Sequence, residues 1–203
     1  MGLRKIVLLF VLMTSTLTAS ISTIGIEVDT SIGVDAETKP ERKTLVVYFS
    51  RTGNTELLAQ EIAGYYQASL LALEAKEYPV GLRGLLHAVA DSQEKQALIS
   101  PEKIELSAYD TVFIGAPIWR YSPAPPVWQF IDNNKLANKK VVLFSTFNSG
   151  FQQKYIDEFQ ARVEAQGGVF ISHLYIRRGR MLVQIGSEAL LARAREELEK
   201  LEL

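Results

Sequence analysis

There is no cysteine in this chain of 203 residues. That excludes disulfides, thiolate catalysis, Cys-based zinc sites, iron–sulfur clusters and a bacterial lipid anchor on Cys. Histidine is almost as scarce. Only His87 and His173 occur, too few to make a His-based metal site a natural reading. Neither stands at a diagnostic spacing from a carboxylate or serine, so both read as structural, and no triad, paired-acid site or metal motif emerges. Basic runs are missing too, and the formal net charge is -1, so nothing points to nucleic acid. Hydrophobic residues make up 47% and charged residues 22%, enough for a core and too apolar for a disordered chain.

Long apolar runs are also lacking. The one near the start, Ile6 to Met13, is too short for a comfortable membrane span. It follows Arg4 and Lys5 and leads into the small residues Thr14 to Ser20. A basic start, a short apolar stretch and a small-residue exit describe a secretory signal peptide over residues 1–20, or an uncleaved anchor. The protein is therefore expected to be exported, periplasmic or secreted, or tethered to a membrane. Residues 21–43 are polar, acidic and poor in aromatics, and read as a flexible linker.

From Thr44 onward strand-like and helix-like segments alternate. Leu45–Phe49, Leu70–Leu73, Thr111–Gly115, Val141–Phe144 and Val169–Ile176 are the expected strands. Helical periodicity is expected over Thr55–Gln67, Leu82–Ala97, Val127–Asn133 and Gln153–Gln166, the last stopped by Gly167-Gly168. Ser187 reads as the cap of a final helix with Leu191, Ala194, Leu198 and Leu201 on one stripe. Strands separated by helices predict parallel βαβ units, and hence an α/β three-layer αβα sandwich. Ligands of such sheets bind beyond the carboxyl ends of the strands, which directs attention to the loops after strands one, three and four.

The first loop is Ser50-Arg51-Thr52-Gly53-Asn54-Thr55 and runs straight into a helix. Free N–H groups and a partial positive charge at a helix start suit a phosphate. Ser50, Thr52 and Thr55 offer hydroxyls, Asn54 an amide, and Gly53 a tight turn. The lysine of a P-loop and the extra glycines of a dinucleotide fingerprint are absent, so the cup suits one terminal monophosphate. The second loop, Gly115 to Val127, holds Pro117, Ile118, Trp119, Arg120, Tyr121 and Ser122, then Pro123, Pro125 and Pro126. The prolines stiffen it. Trp119 and Tyr121 offer aromatic faces for stacking on a flat ring, whereas Trp128 reads as core. The third loop is Ser145-Thr146-Phe147-Asn148-Ser149-Gly150.

Tyr48-Phe49-Ser50-Arg51-Thr52-Gly53-Asn54-Thr55 resembles the phosphate loop of the flavodoxin family, and the second loop extends the likeness. The resemblance covers nearly all of residues 44–203. It implies a flavodoxin-like FMN-binding domain with a five-stranded parallel sheet of order 2-1-3-4-5. It further implies that Ser50, Thr52, Gly53, Asn54 and Thr55 hold the FMN phosphate. Arg51 and the second-loop residues from Pro117 to Ser122 would adjoin the cofactor. Thr146, Phe147, Asn148 and Gly150 would lie at the pyrimidine end of the ring.

Two departures stand out. Relatives often carry a glycine after the loop tryptophan, whose peptide can turn toward flavin N5 when the ring gains a proton. Arg120 and Tyr121 occupy that stretch here, and a β-carbon disfavours positive φ. Arg120 also reads either as a charge that favours electron gain by the flavin or as a solvated surface group. Second, carrier flavodoxins are strongly acidic around the flavin, and this chain is only mildly so. The basic cluster Arg177-Arg178-Arg180 reads as a solvated turn or a docking site for an acidic partner or anionic substrate. The expected function is electron transfer to a redox partner protein or a small acceptor such as a quinone. The alternatives are an FMN-dependent NAD(P)H:quinone-type reductase or a non-catalytic flavin-binding module.

Overall fold

Val46 and Val47, in the middle of the first strand, are both fully buried, so that strand must be covered on its two faces. The computed structural model shows how. It describes residues 43–91, 94–179 and 183–203, apart from the Leu85 side chain. The expected signal or anchor segment, the linker as far as residue 42, and Arg180 lie outside these residues.

Among the described residues, five parallel strands form the sheet: β1 (Thr44–Tyr48), β2 (Ser69–Ala72), β3 (Thr111–Trp119), β5 (Lys140–Phe147) and β6 (Val169–Arg177). A sixth, β4 (Ser122–Pro123), pairs antiparallel with the end of β3. The spatial order is β2-β1-β3-β5-β6, the flavodoxin-like order, with β4 as a small addition. Helices α1 (Asn54–Tyr66) and α5 (Ser187–Glu199) cover one face. Their Leu58, Ile62, Leu190, Ala194 and Leu198 pack with Val46, Phe113, Val142 and Phe144. On the other face, α3 (Pro125–Asn133) and α4 (Gln153–Ala165) pack Trp128, Phe130, Ile131, Phe159 and Val163 against Val47, Val112, Ile114 and Leu143. Helix α2 (Leu82–Ala90) adds Ala88 to this second core.

Some boundaries differ from expectation, each for a local reason. The second helix was expected to reach Ala97, but α2 ends at Ala90, where Asp91 N–H makes the last bond, to the His87 carbonyl. Glu94 N–H then bonds back to the Asp91 carbonyl as a turn. Strands β3 and β5 run past their expected ends because register pairing continues to Pro117 and Thr146. Ser145, Thr146 and Phe147 are therefore strand residues, and the third loop begins at Asn148. The short third helix starts earlier, at Pro125, where a missing N–H costs nothing. Ser187 does not cap α5. Gly186 occupies the cap position, no side chain caps the helix, and the buried stripe runs Leu190, Ala194, Leu198.

His173, which reads as structural in the sequence, finds a partner that its spacing does not reveal. Its Nε2 lies 2.7 Å from Ser145 Oγ on the neighbouring strand, and the rings of Phe151 and Tyr175 pack on it at 4.8 and 5.2 Å. Burial pushes its pKa down from 6.5 to about 4.

Two predictions follow from this packing. Gly115 sits mid-sheet, where a Cβ would lie 2.0 Å from Phe144 Cζ. Gly115→Ala should lower the unfolding free energy by about 1–3 kcal/mol, read by urea denaturation. The unfolded chain protonates His173 below pH 6.5, whereas the folded chain keeps it neutral to about 4. Protons thus favour unfolding in that window. Stability should decline as pH falls from 6.5 to 4, by on the order of 3 kcal/mol, and His173→Gln should flatten that slope.

Candidate cofactor site

At the carboxyl edge of the sheet, β1 hands over to the loop that starts α1. Phe49 N–H still bonds the Gly115 carbonyl at 2.9 Å, so the loop leaves from a fixed point. Gly53 then adopts φ 87°, the left-handed region, and its N–H donates to Ser50 Oγ at 3.1 Å. No side chain caps α1. The first-turn N–H groups of Asn54, Thr55 and Glu56 have no intrahelical acceptor and carry the positive end of the helix dipole. Thr55 is buried, and its hydroxyl meets that of Thr146 at 2.9 Å. That bond ties the first loop to the end of β5.

The second loop is a hairpin rather than an irregular segment. Ile118 pairs with Pro123 and Trp119 with Ser122, leaving Arg120-Tyr121 as a two-residue turn. Their φ values are 43° and 76°. The expectation that β-carbons would keep these residues out of positive φ is therefore overturned. A two-residue hairpin turn with positive φ at both centres matches the right-handed twist of its strands, and the strand pairing outweighs the local steric cost. Gln152 N–H donates to the Tyr121 carbonyl at 3.0 Å and braces the turn from the third loop. Trp119 makes edge contacts with Phe49 and Tyr78 at 5.7 and 5.0 Å, so one side of it is anchored in the core. Burial, aided by the Asp91 carboxylate, raises the Tyr78 phenol pKa and keeps it neutral. Trp128 is wholly buried, its Nε1–H bonded to the Pro123 carbonyl at 2.8 Å.

Two adjoining cavities result. The smaller, about 160 Å³, is lined by Ser50, Arg51, Thr52, Asn54, Thr55, Pro117, Ile118, Trp119, Thr146, Phe147, Asn148 and Arg178. The larger, about 430 Å³, is lined by Arg51, Ala88, Val89, Ile118, Trp119, Arg120, Tyr121, Phe147, Asn148, Ser149 and Gly150. Five residues (Arg51, Ile118, Trp119, Phe147 and Asn148) wall both. Two of the expected site residues line neither. Gly53 contributes its backbone turn, and Ser122 is buried with its hydroxyl on the Pro123 carbonyl. Sequence reasoning missed Ala88, Val89, Ser149 and, above all, Arg178. In the sequence Arg178 reads as part of a solvated basic turn or of a docking site for an acidic partner or anionic substrate, and the fold places it in the wall of the smaller cavity.

The arrangement has one small compartment rich in hydroxyls and N–H groups, whose wall holds, among the described residues, two arginines and no carboxylate. Beside it lies a roomier compartment with aromatic and aliphatic walls. Such a pair suits a ligand with an anionic head and a flat apolar body.

The flavodoxin family model matches residues 43–166. This chain belongs to the flavodoxin family. Among solved structures, it is similar to a protein of Bacteroides uniformis provisionally named a flavoprotein, at 23% identity and a TM-score of 0.60. That match covers 76% of this chain and 98% of the other. It is also similar to a Lactobacillus acidophilus flavoprotein solved in complex with FMN, at 23% identity and a TM-score of 0.55. There 66% of this chain and 93% of the other are covered. At these identities the likeness concerns the fold. A comparison with curated proteins gives no match.

Two glycines of this flavodoxin-family chain test the first loop. Neither would bring a Cβ within 4 Å of another atom, but Gly53 has positive φ and Gly64 lies inside α1. Gly53→Ala should cost about 1 kcal/mol of stability from backbone strain alone. Gly64→Ala should add roughly 0.5–1 kcal/mol from helix propensity. Thermal unfolding of both variants checks the contrast.

Proposed function

We propose that this protein binds FMN and acts as an electron-transfer protein. The observation that carries the reading is the pair of cavities with shared walls at the carboxyl edge. FMN consists of one terminal phosphate on a ribityl chain joined to a large, flat, mostly apolar ring. The smaller cavity offers hydroxyls, helix N–H groups and guanidinium groups to the phosphate. The larger offers Trp119, Tyr121, Ile118 and Phe147 to the ring. The Lactobacillus acidophilus relative, solved with FMN, supports the same assignment. Bound FMN supplies chemistry in steps of one or two electrons. The chain's own part is to hold the ring, exclude water from its buried side and set its electrostatics. Arg51 and Arg120 both reach the larger cavity, and their positive charge favours electron gain there.

The exposed surroundings favour an apolar acceptor. Val89 and Tyr121, which line the larger cavity, are exposed, and Val80, Leu82 and Leu86, on and just before α2, are exposed as well. An acceptor such as a quinone, or the apolar face of a redox partner protein, fits this rim better than a strongly basic partner does. A second reading, an FMN-dependent NAD(P)H:quinone-type reductase, draws support from the two guanidinium groups at the larger cavity, which suit an anionic reductant. In either case we propose that the protein works outside the cytoplasm or beside a membrane, on the strength of its N-terminal segment.

The purified chain mixed with FMN should show flavin absorption bands that shift on binding. Reductive titration with mediators under argon should resolve two separate one-electron waves. A single two-electron wave, together with NAD(P)H oxidation in the absence of any partner protein, would transfer the assignment to the reductase. Absence of any flavin binding would remove both readings.

A further inference from the structure

Arg178 follows the last residue of β6 and its backbone is pinned: its N–H donates to the Phe147 carbonyl at 2.8 Å. Its own carbonyl accepts from Ile185 N–H at 2.9 Å. Arg178 lines the smaller cavity together with Ser50, Thr52 and Thr55 of the first loop. Its Nε and Nη1 are buried and have no hydrogen-bond partner among the described residues. A guanidinium stays charged at any physiological pH, and a buried charge left without partners is costly. Among the described residues no carboxylate lines that cavity, and Arg51 lines it as a second cation. Beside the cavity there is therefore a second positive charge with two buried, unbonded donors, on a backbone fixed at the end of the β5–β6 ladder.

We propose that Arg178 is the counter-charge for the phosphate of the bound flavin, and that it makes the site selective for a phosphorylated flavin over riboflavin. The inference rests on the FMN reading and extends it. The hydroxyls and N–H groups of the first loop are neutral donors, and its one cation, Arg51, already donates to the Gly81 carbonyl at 3.4 Å. A planar fork of charged donors adds ion-paired hydrogen bonds that riboflavin, ending in a hydroxyl, does not evoke. Recognition then follows the second ionisation of the phosphate, near pH 6, and weakens with salt.

The test is the affinity for FMN and for riboflavin, read by quenching of flavin fluorescence, in wild type, Arg178→Gln and Arg178→Lys. Arg178→Gln should weaken FMN roughly 10- to 100-fold and leave riboflavin unchanged. Arg178→Lys, which keeps the charge and loses the fork, should fall between. The preference of wild type for FMN should grow as pH rises through about 6, and that growth should shrink in Arg178→Gln. Equal losses for both flavins in Arg178→Gln would mean a purely structural role and overturn the inference. An unchanged FMN affinity would overturn it too while leaving FMN binding intact. If wild type bound neither flavin, the FMN reading would fail by itself. Inorganic phosphate would then decide: a rise in melting temperature in wild type that vanishes in Arg178→Gln supports the anion site, and an equal rise in both refutes it.

Discussion

Strand β3 is the member on which the rest of this structure depends. It pairs in parallel with β1 on one side and β5 on the other, so its register sets the height at which both neighbours end. Parallel pairing sends all three carboxyl ends to one edge, and the three loops that leave there converge without further instruction. Gly115 is the concession that makes the pairing dense. With no side chain there, the ring of Phe144 on β5 lies across the strand and completes the core beneath α1 and α5. The sheet below the site is close-packed at this point.

The fold was largely legible in the sequence because the strands are buried on both faces. Thr44–Tyr48, Thr111–Gly115 and Lys140–Phe144 are near-continuous apolar runs, a pattern that a central parallel strand demands. Where elements end was less legible. The α2 pattern continues through Ala97 on paper, yet the helix stops at Ala90, since no periodicity records that Asp91 closes the last turn. Strands β3 and β5 overrun their apolar runs because partner pairing, which is non-local, carries them on to Trp119 and Phe147.

The site divides the same way. Ser50 to Thr55 announced a phosphate cup through residue type and position, and the Gly53 turn has the backbone this requires. Arg120 and Tyr121 misled because intrinsic preference opposes positive φ, while the hairpin that overrides it exists only once Ser122 and Pro123 fold back on β3. Arg178 is far from the cup in sequence. Its place there depends on the β5–β6 ladder, and no local signal encodes it. The same ladder places His173 beside Ser145, a pairing across 28 positions.

The smaller cavity draws its walls from Ser50 near the start of the domain and from Arg178 after the last strand. No N-terminal fragment that stops before Arg178 contains a complete version of it. Ordered assembly follows: β6, an outermost strand of the sheet, must dock on β5 before the cup closes. During synthesis the cup therefore forms late, after nearly the whole domain is available. Cofactor loading becomes a report on finished folding, with no affinity wasted on half-built chains.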